Sequence, residues 1–203
     1  MKIIAVGRNY AEHAKELNNP VPAEPIIFIK PDTALLRNGE PFYLPAFSNE
    51  INYEVEVVLQ VGKAGKHINK GFALNYIDAL TVGIDFTARD IQRNLKEKGL
   101  PWELAKGFDY SAPVGRFVAV TGPKDLDDIS FSLLINGAKV QEGNSKDMIY
   151  SFAEIIAFVS ERITLRKGDY IFTGTPPGVG KVNAGDLLEG YMKGEKLMSF
   201  SVK

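Results

Sequence analysis

Apolar positions along this chain come in short runs broken by glycine, proline and asparagine. Ile3 to Val6 reads as a strand. Asn9 stands as the cap of a short helix, Tyr10 to Leu17, stopped by Asn18-Asn19-Pro20. Pro20, Pro22 and Pro25 make a stiff connector to a strand at Ile26 to Ile29, closed by Lys30-Pro31. Ile51 to Val61 reads as one strand, followed by a Gly/Lys turn over Gly62 to Lys66. Asn69 to Leu80 starts as a helix, at Gly71-Phe72-Ala73-Leu74. Leu80 to Phe86 is a short apolar run of the buried-strand kind. Thr87 then stands as the N-cap of a charged helix, Ala88 to Lys98. Phe117 to Val120, Ile129 to Asn136 and Ala138 to Gln141 read as strands, and Asn136-Gly137 is the signal of a tight hairpin. Ser151 to Glu161 has helical amphipathic spacing. Tyr170 to Thr173, Asp186 to Glu189 and Leu197 to Val202 are the last strands. Many short strands and few helices predict a mainly β, α+β domain with a mixed sheet.

Composition narrows the function. With 203 residues the chain can bury a core of its own, and it shows no repeat, low-complexity stretch or clear linker, so one domain over 1–203 is expected. The net charge of −1, with both signs interspersed, argues against a nucleic-acid or membrane-surface partner. Without cysteine there is no disulfide, zinc-thiolate site or thiol nucleophile in this chain. Gly7-Arg8-Asn9 interrupts the first apolar run early for a signal peptide, and no run approaches membrane-span length. A cytoplasmic location is the expectation.

The acidic residues carry the chemistry. In Tyr53-Glu54-Val55-Glu56-Val57-Val58-Leu59, alternation puts Glu54 and Glu56 on one strand face, roughly 7 Å apart at Cβ. Val55 and Val57 take the other face. Two adjacent carboxylates repel and favour a cation between them; a hard divalent ion such as magnesium suits oxygen ligands. The competing reading is a wet acidic strand face. Asp85, in the apolar run Leu80 to Phe86, is harder to explain as surface, because a buried charge needs a partner. That partner is either Arg89, backbone amides or the same ion.

Other groups leave two readings each. Lys106, among Leu104, Ala105 and Phe108, is a snorkelling surface lysine first and a buried cation near the carboxylates second. His13 and Glu16 are neighbours on a helix face, as a carboxylate-oriented base or as a solvated pair. The run Gly174-Thr175-Pro176-Pro177-Gly178-Val179-Gly180 fails as a phosphate loop. Val182 follows Lys181, the glycine spacing is wrong, and two prolines remove N–H donors. It remains either a rigid loop offering backbone groups and the Thr175 hydroxyl to a small ligand, or a structural turn.

Taken in order, Gly7-Arg8-Asn9-Tyr10-Ala11-Glu12-His13, Glu54-Val55-Glu56, Asp85-Phe86-Thr87-Ala88-Arg89-Asp90, Leu104-Ala105-Lys106 and Thr173 to Gly180 resemble the fumarylacetoacetate hydrolase family over the whole chain. The likeness is to its short branch of acylpyruvate hydrolases and oxaloacetate decarboxylases. The resemblance implies a mixed β-roll or flattened β-barrel-like fold and a homodimer. It implies Glu54, Glu56 and Asp85 as ligands of Mg2+ or Mn2+, and Lys106 as the lysine beside the metal. Gln92 and Thr175 match ligand-contacting residues, and Arg8 and Lys30 match cationic groups near the substrate. His13 and Glu16 match a water-activating pair on a mobile lid, here segment 8–25. Gly107 departs from relatives that carry serine after the lysine. The implied function is hydrolysis of a C–C bond in acylpyruvates or related 2,4-dioxo acids by way of a pyruvate enolate. The alternative on the same site is an oxaloacetate decarboxylase or a 2-oxo acid isomerase or hydratase. The partner is a small 2-oxo acid.

Overall fold

The computed structural model describes residues 1–16, 20–37 and 39–203. Its largest sheet has six strands. In spatial order these are β2 (Ile26–Lys30), β1 (Ile3–Gly7), β12 (Tyr170–Phe172), β5 (Val55–Val61), β6 (Ile77–Ile84) and β9 (Val118–Ala119). β1 and β12 run parallel and every other neighbouring pair is antiparallel, so the sheet is mixed as expected. A second, antiparallel sheet contains β11 (Ala138–Asn144), β10 (Ser130–Ile135), β14 (Leu187–Met192) and β15 (Glu195–Ser201). Two small sheets join β13 (Gly180–Lys181), β4 (Ile51–Tyr53) and β7 (Thr87–Ala88), and β3 (Leu35–Leu36) with β8 (Ala112–Pro113). None of these sheets closes into a barrel among the described residues.

Both faces of the large sheet are covered. Val55, Val57 and Leu59 of β5 enter the main core with Phe131, Leu133 and Met198. Val58 points the other way, into a cluster with Ile3, Phe28, Tyr170 and Phe172. Glu54 and Glu56 share that second side by alternation, so the wet-face reading of the acidic strand fails. They are only 5% and 2% exposed.

The expected strand from Ile51 to Val61 is broken at Glu54. β4 pairs with β13 and β7, whereas β5 belongs to the large sheet. The chain therefore changes sheets at its first carboxylate. The helical start at Gly71 is a 3-10 turn over Lys70–Tyr76, capped by Asn69, whose Oδ1 accepts from Gly71 N at 2.9 Å. Ile77 to Leu80 already belong to β6. Thr87 does not cap α2 (Arg89–Glu97); it lies in β7 and its hydroxyl donates to Asp85 O. Nor is Asn9 spent on α1 (Ala11–Glu16). Its side chain donates to Thr173 O and Tyr150 O and accepts from Tyr150 N. The expected helix end at Leu17 and the Asn18-Asn19 stop lie outside the described residues. Local signals hold elsewhere. Asn136 and Gly137 both take positive φ in the β10–β11 hairpin, and Ser151 and Glu154 form a capping box at α4 (Phe152–Arg162).

Candidate active site

Two neighbouring strand segments deliver three carboxylates to one point. Glu54 sits at the joint between β4 and β5, Glu56 lies within β5, and Asp85 follows β6. The Asp85 N–H donates to Glu54 O at 2.8 Å, which fixes the two segments together. One oxygen from each carboxylate lies within 4.8 Å of the others. All three residues are buried.

Cations surround the cluster. Lys106 ends the short helix α3 (Glu103–Lys106), and its Nζ is 2.8 Å from Glu54 Oε2 and 2.5 Å from Asp85 Oδ2. It is 3% exposed, so the snorkelling reading fails. Arg89 donates to the other Glu54 oxygen, and its Nη1 donates to Gln92 Oε1 at 2.6 Å. Arg89 is thus the partner of Glu54, not of Asp85. Lys30, fully buried, stands behind Asp85, with Nζ 2.6 Å from Oδ1. The direction of that contact is poor for hydrogen bonding. The Lys30 protons go instead to Ser111 O at 2.8 Å, Ser111 Oγ at 3.0 Å and Phe86 O at 3.3 Å. Asp85 Oδ1 is left without a hydrogen bond. Glu56 receives one N–H, from Gly174 at 2.7 Å. Gly174 has φ +104°, and a Cβ there would stand 2.6 Å from Asn9 Cβ, so glycine lets this backbone approach.

The electrostatics are uneven. Burial alone would raise the Glu54 carboxyl, but Lys106, Arg89 and His13 outweigh it and hold Glu54 well below the usual range. Burial pushes Glu56 well above its usual range, and Asp85 and Glu54 add to the shift. Burial lowers the Lys106 ammonium less than Asp85 and Glu54 raise it. For Lys30 burial wins over Asp85 and the net shift is downward. Asp85 Oδ1, which accepts no hydrogen bond although Lys30 stands beside it, and the Glu56 carboxyl, whose hydrogen bond comes from a backbone N–H, fit a divalent cation between them. The all-oxygen donor set suits Mg2+ or Mn2+.

His13 is buried on α1, with Nδ1 3.1 Å from Glu16 Oε2. Glu16 Oε1 accepts from Gly178 N at 3.0 Å, which docks α1 on the glycine-rich loop. The N-terminal segment is also held by Ile149 N to Asn9 O at 2.8 Å and Tyr150 Oη to Pro22 O at 2.7 Å. A cleft of about 30 Å³ brings Arg8, His13, Glu54, Gln92 and Lys106 together. Lys30 and Thr175 do not line it. A groove of about 570 Å³ beside Arg37, Phe117 and Tyr170 holds no carboxylate cluster.

Two residues escaped the sequence reading. Arg89 stood only as an alternative partner for Asp85, although its i, i+3 spacing to Gln92 was a usable signal. Gln141 gave none. Its Oε1 accepts from Val55 N at 2.9 Å, between the two glutamates. Its Nε2 donates to Thr175 Oγ1 at 3.0 Å and Pro176 O at 2.9 Å. These partners are 86, 34 and 35 residues away, beyond the reach of any local pattern.

The chain is similar to known proteins along its length. It is 43% identical over 201 residues to the mitochondrial oxaloacetate tautomerase of Mus musculus, covering 99% of this chain and 91% of that one. It is 41% identical over 189 residues to a mitochondrial oxaloacetate decarboxylase of Dictyostelium discoideum, covering 93% and 87%. The structure of fumarylpyruvate hydrolase from Pseudomonas aeruginosa, in complex with Mn2+ and pyruvate, superposes with a TM-score of 0.94 at 34% identity, covering 100% of this chain and 89% of that one. The fumarylacetoacetate hydrolase C-terminal family model matches residues 2–201, and the chain belongs to that family.

Proposed function

We propose that this protein is a divalent-metal-dependent hydrolase that cleaves a C–C bond in acylpyruvates or related 2,4-dioxo acids. Glu54, Glu56 and Asp85 would hold the ion. A bound Mg2+ or Mn2+ supplies positive charge against the oxygens of a 2-oxo acid. The observation that carries the reading is the His13–Glu16 pair, whose histidine lines one cleft with Glu54 and Lys106. With Nδ1–H turned to Glu16, His13 Nε2 is free to take a proton from water. The water oxygen adds to the acyl carbonyl. The C–C bond breaks, its electron pair passes to the pyruvate fragment as an enolate, and His13 returns the proton to that carbon. Lys106 sets a fixed cation beside the developing charge. Arg8 and Gln92 contact the substrate from the cleft, and Thr175 orders the loop at its back. Lys30 acts from behind Asp85 as its counter-ion.

A small 2-oxo acid partner, one catalytic domain over 1–203 with segment 8–25 as its lid, a homodimer and a cytoplasmic location complete the reading. No helix among the described residues is long and apolar enough to cross a membrane. The second reading, an oxaloacetate decarboxylase or a 2-oxo acid isomerase or hydratase, draws on the identity to the oxaloacetate enzymes.

Turnover of acetylpyruvate and oxaloacetate by the purified protein, with Mg2+, Mn2+ or a chelator, separates the readings. His13→Ala is expected to lose acylpyruvate hydrolysis by roughly 10² to 10⁴, the scale of general-base catalysis. Decarboxylation, which needs no water, is expected to survive. Equal loss of both reactions would make His13 a positioning group for lid or substrate.

A further inference from the structure

Asn9 is fully buried at the start of the segment that carries His13. Its amide nitrogen donates to Tyr150 O at 3.0 Å and to Thr173 O at 2.8 Å, and its Oδ1 accepts from Tyr150 N at 2.7 Å. Two carbonyls and one N–H thus fix which way the amide points. A carboxylate of the same shape would offer neither donor.

The bond to Thr173 O reaches beyond its acceptor. The Thr173 C=O and the Gly174 N–H are the two ends of one planar peptide group. The carbonyl end accepts from Asn9, and the N–H end donates to Glu56 Oε2 at 2.7 Å. Bonds at the two ends of a peptide polarise each other, and turning its plane disturbs both. This relay is dry along its length: Asn9 and Thr173 are fully buried, and Glu56 nearly so. Gly174 leaves no room for a side chain against Asn9, so the two backbones stay in contact.

The loop after Thr173 meets the same segment a second time. Gly178 N donates to Glu16 Oε1 at 3.0 Å. His13 therefore lies between two bonds to the loop whose Gly174 holds Glu56. The outer end of the segment hangs instead on Tyr150 Oη to Pro22 O, a bond that involves neither the loop nor Glu56.

We infer that Asn9 is a positioning residue for Glu56. Through the Thr173–Gly174 peptide it aims that carboxylate, and it ties divalent-metal binding to the seating of the segment that bears His13. The inference rests on the reading of Glu54, Glu56 and Asp85 as metal ligands.

The test measures metal binding, so it does not depend on the reaction. Mn2+ is titrated calorimetrically into wild type and into variants whose folding is checked by thermal melts. Asn9→Ala removes the donor and is expected to weaken Mn2+ binding by roughly 10- to 100-fold, the scale for groups that orient a metal's ligands. Tyr150→Phe frees the outer end of the segment but spares the relay, and should bind Mn2+ as wild type does. A second measurement needs no variant. Coupling between binding and seating is reciprocal, so Mg2+ added to wild type should slow hydrogen exchange in residues 9–16 more than in the β14–β15 hairpin. A folded Asn9→Ala with wild-type Mn2+ affinity overturns the inference. An equal loss in Tyr150→Phe also overturns it, because any loosening of the segment would then suffice. Should Asn9→Ala fail to fold, the exchange experiment decides, and residues 9–16 that ignore Mg2+ overturn the inference. Wild type that binds no Mn2+ overturns it together with the metal reading. Protein that shows the expected metal effects but leaves acetylpyruvate uncleaved overturns the hydrolase alone and supports the relay.

Discussion

Lys106 is the counter-ion for two carboxylates at once and is almost wholly buried. Removing it leaves Glu54 and Asp85 facing each other with less compensation. Breaking a buried pair costs roughly 3 to 5 kcal/mol. Lys106→Ala is therefore expected to lower the melting temperature of the metal-free protein, and Mn2+ should restore more stability to the variant than it adds to wild type. Melts with and without Mn2+ check this, and equal metal-induced shifts in the two proteins would contradict it. Its neighbours Ala105 and Gly107 gave no hint of such burial, because the partners lie 52 and 21 residues away. The carboxylates themselves were legible, since an acidic pair at strand spacing and an aspartate in an apolar run violate the normal pattern. Gln141 was invisible for the same reason as the Lys106 environment. It braces Val55 and the Thr175-Pro176 turn together. Gln141→Met should leave a buried N–H and a carbonyl unpaired, at about 1 to 3 kcal/mol each, and weaken Mn2+ binding. Lowered stability with unchanged Mn2+ affinity would mean that the brace serves the fold alone.

Elements defined by local chemistry matched their sequence signals, and elements defined by distant partners did not. The β10–β11 hairpin follows from Asn136-Gly137, and α4 from Ser151 and Glu154. The break at Glu54 could not be read, because it comes from β4 pairing with β13 and β7. The α4 cap has a pH signature. Lys70, at 2.7 Å, and the Ser151 hydroxyl and N–H hold the Glu154 carboxyl down at about 2, against an ordinary 4.5. A depressed acid contributes stability above its unfolded value and loses it as pH falls through the folded one. The contribution is thus present above pH 4.5 and disappears toward pH 2. Solvent screens this exposed pair, so the effect is modest. Glu154→Gln should flatten the change in denaturation midpoint between these pH values; a slope identical to wild type would remove Glu154 from the account.

At the scale of the molecule, the class of fold was legible because short, punctuated strands leave a compositional trace. The number of sheets was not, since strand order depends on pairs such as β1 with β12, which are far apart in the chain. The folded arrangement covers both sides of the large sheet and docks the N-terminal segment over a cleft of about 30 Å³, room for about one water. Under the proposed function, the 8–25 lid lifts to admit substrate while the sheets stay packed. Lys30 reports on that distinction. Its amine is sealed behind Asp85, under the sheet rather than in the cleft. An acylating reagent added to native protein should label exposed amines such as Lys15 within its own reaction time. Lys30 should wait for the whole barrier of global opening. Peptide mass analysis over time would give the two rates. A Lys30 rate that rises with lid motion, at denaturant concentrations too low to unfold the sheets, would mean that the seal opens locally. A rate that tracks only the global transition makes one lysine the protein's own clock of how often it comes undone.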